Sequence, residues 1–206
     1  MIALVDYGLG NIHALANIYK RLNIPVCAAN TPEVLMRADK LILPGVGAFD
    51  WAMSRLNDSG MRACLDDLVK IQGRPVLGIC VGMQMMARRS DEGVSPGLGW
   101  IDADVKRFPD VLADRKVSLP HMGWNEAAPK RTDDIFCGLE TDARFYFLHS
   151  YYFLPDDTGA ALATTDYGGV FASAVNVGNF YGTQFHPEKS HQWGVRLLQN
   201  FAELAR

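Results

Sequence analysis

The sequence predicts a single α/β domain, residues 1–206, with a mixed but mostly parallel sheet flanked by helices. In the first half, short apolar runs rich in β-branched residues alternate with longer segments whose apolar residues recur every three or four positions. Such strand–helix–strand alternation is typical of parallel strands covered by helices on both faces. In the second half, short runs rich in Val, Phe and Tyr are separated by Gly and Pro, which indicates further strands, some of them antiparallel.

Each predicted element follows from one of these patterns. Buried strands are expected at 2–5, 40–43 and 75–79, and strands of the second half at 145–148 and 172–177. Helices are expected at 11–22, 49–56, 61–71 and 192–205. Asn11 is the predicted N-cap of the first helix, because Asn accepts hydrogen bonds from the free amides of a helix start.

The composition excludes several classes of function. Of 206 residues, 49% are hydrophobic and 21% are charged, and the net charge is −3, which gives no electrostatic reason to expect nucleic-acid binding. No signal peptide or membrane segment is visible. The four cysteines are scattered, with no CxxC pair, so we expect neither a zinc site nor a disulfide framework. We expect a cytoplasmic protein without metal or cofactor and without contacts to membranes.

Two glycine pairs resemble dinucleotide-binding loops only superficially. Gly8 and Gly10 follow the first predicted strand, but the third glycine position is occupied by His13. Gly45 and Gly47 follow a later strand, and the third position there is Asp50. A lone GxG is weak evidence, so nucleotide binding is not predicted.

The strongest chemical signal surrounds Cys80. The strand at 75–79 runs into the sequence Gly-Ile-Cys-Val-Gly, with a helix expected to start near Met83. This arrangement predicts a nucleophile elbow, in which flanking glycines allow a sharp turn that exposes the cysteine. A helix N-terminus behind Cys80 favours its thiolate, and the backbone N–H of Val81 would face a developing oxyanion. A buried structural cysteine is the alternative, and it is the interpretation for the other three.

A thiol nucleophile needs a base and a group that orients the base. His186 ends a strand-like run, and Pro187 favours an extended backbone at His186. Residues i and i+2 of an extended chain point to the same side, so Glu188 can hold the imidazole of His186. The sequence therefore predicts a Cys80–His186–Glu188 triad. Gly45, Val46 and Gly47 are either part of an oxyanion site or an ordinary turn after a strand.

Six motifs together resemble the class I glutamine amidotransferases over nearly the whole chain. They are Asp6-Tyr7-Gly8 with Gly10-Asn11, the segments 44–49 and 78–84, the segments 120–125 and 149–151, and the segment 184–190. Within that family, segments 120–125 and 149–151 are similar to the glutaminase subunits of imidazole glycerol phosphate synthase. Val81 departs from the family, which more often has leucine there, but its backbone N–H is unaffected.

The resemblance implies roles for individual residues. Cys80 would attack the glutamine amide, His186 would transfer protons, and Glu188 would orient His186. Gly45, Val46 and Gly47, with Val81, would form the oxyanion hole. Gln84, Glu92 and Ser150 would hold the amino-acid end of the substrate. The residues expected to face a partner, a (β/α)8-barrel cyclase that receives the ammonia, are Asn11, Met122, Trp124, Asn125 and Lys189.

Three other functions stay open at this stage. A paralogous glutaminase subunit could supply ammonia to a nucleotide-sugar amidotransfer system in surface-polysaccharide synthesis. A cysteine hydrolase acting alone usually lacks the acid two residues after its histidine. A non-catalytic regulatory subunit would not need an intact triad.

Overall fold

The computed structural model describes residues 1–109, 111–112, 115–132 and 134–205. The helices are α1 (Ile12–Arg21), α2 (Pro32–Leu35), α3 (Phe49–Asp58), α4 (Arg62–Asp66, continued by a π-helical turn at Asp67–Ile71), α5 (Val81–Met85) and α6 (His191–Glu203). Short 3-10 turns lie at Asp134–Phe136, Thr158–Ala160 and Pro187–Lys189.

The strands of the first half are β1 (Ile2–Val5), β2 (Val26–Ala29), β3 (Lys40–Gly45), β4 (Val76–Cys80) and β5 (Arg89–Ser90). The middle of the chain forms β6 (Ala103–Arg107), β7 (Val111–Leu112), β8 (Arg115–Lys116), β9 (His121–Glu126) and β10 (Ala128–Pro129). The last five strands are β11 (Arg144–His149), β12 (Tyr151–Pro155), β13 (Ala161–Asp166), β14 (Val170–Val177) and β15 (Phe180–Thr183).

The central sheet has eight strands in the order β10-β13-β14-β15-β4-β3-β1-β2. From β2 to β15 all neighbours are parallel, whereas β14, β13 and β10 continue the sheet as antiparallel strands. The predicted mixed, mostly parallel sheet flanked by helices is therefore confirmed. Because β4 and β3 lie inside the parallel half, their carboxyl ends meet at one edge, where α/β proteins place their sites.

Burial explains why the first-half strands were easy to predict. Every residue of β1, β3 and β4 is buried, which produces the continuous apolar runs expected of strands covered on both faces. Strand β2 was not predicted, because it lies at the edge of the sheet and is only partly buried. Besides the central sheet, the described residues form three smaller ones: β9 pairs with β11, β12-β6-β5 form a three-stranded layer, and β7 pairs with β8.

Three details differ from the sequence predictions. Asn11 occupies the N-cap position of α1 as predicted, but its side chain makes no capping bond to the helix. The helix expected over 61–71 changes from α to π geometry at Asp67. Helix α5 starts at Val81 rather than near Met83, directly after the nucleophile. Among the described helices, none is long and apolar enough to cross a membrane.

Candidate active site

The backbone at Cys80 has the strained conformation of a nucleophile elbow. Cys80 is the last residue of β4, and its φ of 54° lies in the left-handed region, which non-glycine residues rarely adopt. Such strain costs about 1–3 kcal/mol and persists only where the surrounding structure fixes it. The next residue, Val81, begins α5, so the side chain of Cys80 projects from the turn between strand and helix.

Three glycines allow β3, β4 and α5 to pack closely at the elbow. A Cβ atom on Gly82 would overlap the carbonyl oxygen of Leu43, and one on Gly78 would come within 2.7 Å of the backbone of Met83. A Cβ on Gly45 would lie 2.8 Å from the carbonyl carbon of Val81. Side chains at Gly45 and Gly82 would force β3 away from α5, and one at Gly78 would force β4 away from α5. The glycines predicted from the sequence are therefore required by close backbone contact.

His186 and Glu188 meet as the i, i+2 spacing predicts. The Nδ1 atom of His186 lies 2.9 Å from Oε1 of Glu188, and both side chains are almost fully buried. The backbone amide of His186 donates to the carbonyl of Tyr146 at 2.9 Å. Ser190 donates its hydroxyl to the His186 carbonyl at 2.6 Å and accepts the amide of Tyr146 at 3.0 Å. His186 is therefore held at both its ring and its backbone.

The environment of His186 favours its protonated form. Burial by itself lowers the pKa of this imidazole, but hydrogen bonds to Cys80 and Glu188, and the negative charge of both, raise the pKa to about 10. The hydrogen bonds and charges around the ring thus favour its charged form, and the ring faces the sulfur of Cys80. A protonated imidazole beside a cysteine sulfur stabilises the thiolate, which is the nucleophilic form.

A cavity of about 320 Å³ opens over this group. Its lining contains nine of the predicted site residues, together with Pro120, Leu148, His149 and Tyr151. The nine are Val46, Gly47, Cys80, Val81, Gln84, Glu92, Ser150, His186 and Lys189. Gly45 packs behind the elbow and Glu188 lies behind His186, so both support the cavity without lining it.

Gln84 is fixed by two hydrogen bonds from its amide nitrogen. Its Nε2 donates to the carbonyl of Tyr151 and to Oε1 of Gln184, both at 3.1 Å. Gln184 in turn points its Nε2 toward Sγ of Cys80, at 3.7 Å. Because both N–H groups of Gln84 are used, only its oxygen can meet a ligand, and an oxygen selects a donor such as an ammonium group.

Glu92 contributes a carboxylate to the lining of the cavity. Its Oε2 accepts the amide of Phe49, the first residue of α3, at 2.8 Å. Burial raises the pKa of Glu92, while this amide bond opposes the shift and the nearby Asp50 adds to it. One carboxylate oxygen therefore anchors the residue to a helix N-terminus, where a negative charge is favourable.

The residues expected to face a partner lie outside the cavity, except Lys189. Met122 is 65% exposed and Trp124 is 38% exposed, and both lie on β9. Trp124 stacks on His191 with ring centroids 5.1 Å apart, and the Nζ of Lys189 lies 5.6 Å from the ring centre of Tyr146. Asn125 instead turns its amide inward, to the carbonyl of Asp166 at 3.2 Å and to His121 at 3.3 Å.

The glycine pair after β1 has a packing role. A Cβ on Gly10 would lie 2.6 Å from the side chain of Pro44, at a φ of +97° that favours glycine. Tyr7 donates its hydroxyl to the carbonyl of Pro44 at 2.7 Å, so this loop braces the end of β3. In the described part of the chain, no three His, Cys, Asp or Glu side chains form a group that could hold a metal ion.

Sequence reasoning assigned no role to Gln184 or Ser190, although the structure places both against the triad. Gln184 is fully buried beside the Cys80 sulfur, and Ser190 is fully buried under His186. Both belong to the segment that carries His186 and Glu188. Their polar side chains, in the segment predicted to carry His186 and Glu188 of the triad, were the signal in the sequence, because buried polar groups usually form hydrogen bonds.

Comparison with known proteins agrees with this geometry. The profile of the family described as glutamine amidotransferase class-I matches residues 3–204. The chain belongs to the class I glutamine amidotransferase family. This membership confirms the resemblance inferred from the motifs and the assignment of the chain as an enzyme.

Two relatives of this glutamine amidotransferase carry the name imidazole glycerol phosphate synthase subunit HisH. The protein of Bdellovibrio bacteriovorus is 57% identical over 204 residues, covering 99% of this chain and 100% of the relative. That of Leptospira interrogans is 48% identical over 204 residues with the same coverage. The crystal structure of a glutamine amidotransferase from Thermotoga maritima superposes with a TM-score of 0.63 at 19% identity, covering 98% of this chain and 81% of the other; it supports the fold alone.

Proposed function

We propose that this amidotransferase is the glutaminase subunit of imidazole glycerol phosphate synthase. It hydrolyses glutamine to glutamate and delivers ammonia to a (β/α)8-barrel cyclase that makes imidazole glycerol phosphate and AICAR in histidine biosynthesis. The observation that carries the chemistry is the buried Cys80–His186–Glu188 group at the base of a cavity lined by Gln84 and Glu92. The full-length identity to relatives with that name supports the pathway.

In the first step, the Cys80 sulfur attacks the side-chain amide carbon of glutamine. A carbon–sulfur bond forms, and the carbonyl oxygen becomes an oxyanion that backbone N–H groups of Val46, Gly47 and Val81 stabilise. His186 then donates its proton to the amide nitrogen, the carbon–nitrogen bond breaks, and ammonia leaves. A glutamyl thioester on Cys80 remains.

In the second step, a water molecule replaces ammonia beside His186. The imidazole, now neutral, accepts a proton from this water as the water oxygen attacks the thioester carbon. The carbon–sulfur bond breaks, glutamate leaves, and the thiolate–imidazolium pair is restored. Glu188 keeps its hydrogen bond to Nδ1 throughout, so the other ring nitrogen always faces the reacting atoms.

The polar groups of the cavity account for the amino-acid end of glutamine. The oxygen of Gln84 and the carboxylate of Glu92 suit its α-ammonium group, because both are acceptors and Glu92 adds a negative charge. Ser150 also lines the cavity, and its hydroxyl suits the α-carboxylate. A glutamine analogue without the α-ammonium group should therefore bind poorly.

The cyclase is proposed to bind at the docking face, which we define as Asn11, Met122, Trp124, Asn125 and Lys189. Two of these residues, Met122 and Trp124, are apolar side chains exposed to solvent, as is typical of the centre of an interface. Strand β9 pairs with β11, whose residues Leu148 and His149 line the cavity. Ammonia released at Cys80 is thus produced next to the surface that the partner would cover.

The test is glutamate release from glutamine by the purified chain, alone and with the cognate cyclase plus its ribonucleotide substrate. We expect strong stimulation by both together. The Cys80→Ala variant should abolish glutamine-dependent synthesis and leave synthesis from added ammonia intact. Equal loss of both activities would contradict the role of Cys80.

A second outcome would redirect the assignment. If Cys80 is alkylated by a glutamine analogue but the cyclase gives no stimulation, the partner belongs to another pathway, and the nucleotide-sugar amidotransfer system is the next candidate. If the isolated chain hydrolyses amides rapidly without any partner, it is a stand-alone hydrolase.

A further inference from the structure

Two buried histidines beside the cavity have no part in the reaction described above. His121 on β9 and His149 on β11 face each other in the antiparallel pairing, and their Nδ1 and Nε2 atoms are 3.0 Å apart. They are 3% and 6% exposed. They belong to the segments 120–125 and 149–151 named in the sequence analysis. His149 lines the substrate cavity, and the mechanism gives neither histidine a role.

Hydrogen-bond chemistry fixes the direction of every bond in this pair. The carbonyl of Tyr151 can only accept, so His149 Nδ1, at 2.8 Å, carries a proton and donates it. In a neutral ring Nε2 is then an acceptor, and it takes the proton of His121 Nδ1. The remaining nitrogen of His121 accepts from the amide of Asn125 at 3.3 Å. Burial supports the neutral rings, since it lowers the pKa of His149 to about 3 and that of His121 to about 4.

The inner end of this series of hydrogen bonds reaches Cys80, the nucleophile. The same Tyr151 carbonyl accepts the Gln84 amide at 3.1 Å. Gln84 donates to Gln184, whose amide nitrogen lies 3.7 Å from the Cys80 sulfur. A displacement of the Tyr151 carbonyl therefore moves the residue proposed to bind the substrate ammonium group.

The outer end lies in the docking face, because Asn125 and its neighbours Met122 and Trp124 are all on β9. The ring of His121 is clamped between Phe147 and Tyr167, with centroid separations of 4.6 and 3.8 Å and nearly parallel planes. Stacking on both faces prevents the ring from turning out of line. Any shift of β9 is thus carried by His121 rather than absorbed by a change of its rotamer.

We infer that His121 and His149 are positioning residues that link the position of β9 to the Tyr151 carbonyl and to Gln84. Binding of a partner to the docking face would act through this link on the geometry of the glutamine site. The inference deepens the proposed function and rests on it. It predicts that a variant without the link still binds the partner, but that the partner no longer stimulates its glutaminase activity.

The experiment uses the complex with the cyclase and compares His121→Phe with His121→Asn. Phenylalanine keeps the ring stacked between Phe147 and Tyr167 but has no hydrogen-bonding atoms. Asparagine loses the stacking but can still donate to His149. We expect H121F to reduce the stimulation of glutaminase about tenfold, a size common for coupling between sites, while H121N retains most of it. Synthesis from added ammonia should be unchanged in both.

The matched control is Phe201→Leu, at a fully buried ring of α6 that packs on Tyr181 and, among the described ring contacts, meets neither histidine of the link. It should lower the melting temperature and leave the stimulation ratio unchanged. If H121F is stimulated like the wild type, or if all three variants lose stimulation in proportion to their melting temperatures, the inference is overturned. If H121F does not fold, His149→Asn replaces it, because this side chain keeps a donor for Tyr151 and lacks the nitrogen facing His121. Normal stimulation of H149N would likewise overturn the inference.

Failure of the proposed partner can be told apart from failure of the link. If the wild-type chain is not stimulated by the cyclase, the partner assignment is wrong. The inner half of the link is then measured in the isolated chain, by the glutamine concentration that protects Cys80 from iodoacetamide, followed at the Cys80 peptide. His149→Gln lacks the donor to Tyr151 and should weaken protection about tenfold relative to H149N, as expected when a buried acceptor loses its donor. Equal protection would overturn the inference.

Discussion

The Nδ1 atom of His186 lies 2.9 Å from Oε1 of Glu188, although a single proline separates the two residues. The Glu188→Gln variant keeps an oxygen in this position but removes the negative charge. We expect it to lower the glutaminase rate less than His186→Ala, which removes the proton-transfer group itself and should cost on the order of 10²–10⁴-fold. Steady-state kinetics of the two variants in the complex test this ranking, and the reverse order would contradict the orienting role of Glu188.

The same pair predicts a shift in the pH profile. The reaction needs a protonated His186, whose pKa is raised to about 10, so the rate should fall as the pH rises through that value. Glu188 contributes to the raised pKa through its hydrogen bond and charge. In Glu188→Gln this alkaline limb should therefore move to lower pH. A profile of kcat/KM against pH checks the direction, and an unmoved limb would mean that Glu188 does not influence the ring.

Close packing at the elbow predicts a large penalty for Gly82→Ala. The new methyl group would overlap the Leu43 carbonyl, so α5 or β3 must move, at a cost of about 3 kcal/mol or more. The control is Gly60→Ala, where the φ of +71° is strained but nothing lies within 4 Å, and about 1 kcal/mol is expected. Urea denaturation compares the two, and equal losses would mean that the elbow tolerates separation from β3.

Lys40 predicts a second, unrelated effect on stability. This buried side chain donates to the carbonyls of Ala202 and, at 2.6 Å, Leu204, at the C-terminal end of α6. Lys40→Met keeps the aliphatic stem and removes the donor, which should cost about 1–3 kcal/mol. The exposed Lys20 in the last turn of α1 is the control, and its change to Met should cost under about 0.5 kcal/mol. Comparable losses for both would refute a capping role.

The two buried histidines predict destabilisation by acid. Their pKa values are about 4 and about 3 in the folded chain, against 6.5 for an ordinary histidine. Between these values the unfolded chain binds more protons, so stability rises with pH. Their contribution is complete above pH 6.5 and is lost as the pH falls, by about 1.4 kcal/mol per pH unit for each histidine. The His121→Phe variant has one such group fewer, so its free energy of unfolding should fall less steeply than that of the wild type between pH 6.5 and about 4. Urea denaturation at several pH values measures this, and parallel curves for the two proteins would contradict the prediction.

A substitution at Lys189 should affect only the binding of the partner or its stimulation of the glutaminase. It is exposed at the rim of the cavity and lies over the ring of Tyr146. Lys189→Ala should weaken binding of the cyclase or its stimulation of the glutaminase by about tenfold. Lys70, exposed in the π-helical turn that precedes β4, serves as the control because that turn lies far from the carboxyl end of the strand. Titration calorimetry and stimulation assays check both, and unchanged behaviour of Lys189→Ala would remove it from the docking face.

The triad could be predicted from the sequence because its members carry local signals. Cys80 stands between glycines at the end of an apolar strand, and Glu188 follows His186 at a spacing that an extended backbone brings to one side. Parallel pairing then places the end of β4 beside that of β3, at Gly45. Local pattern and sheet geometry together are sufficient here.

The pairing of His121 with His149 could not be predicted in this way. The two residues are 28 positions apart, and they meet only because β9 and β11 pair in one register. A shift of one residue in this register would leave the two side chains on opposite faces. Nothing local in either strand fixes that register, and the inward direction of Asn125 depends on it as well. The contact between Gln184 and Gln84 spans 100 positions and was missed for the same reason.

The packing of Gly45 against Val81 and Gly82 also limits where the site can move. Up to Gly45, β3 is locked to the elbow, so a rotation there would displace the nucleophile with it. Beyond Gly45 the restraint ends, because Val46 is 38% exposed and a Cβ on Gly47 would meet nothing within 4 Å. We therefore expect that a turn of the Val46–Gly47 peptide plane, toward or away from the cavity, would leave Cys80 in place.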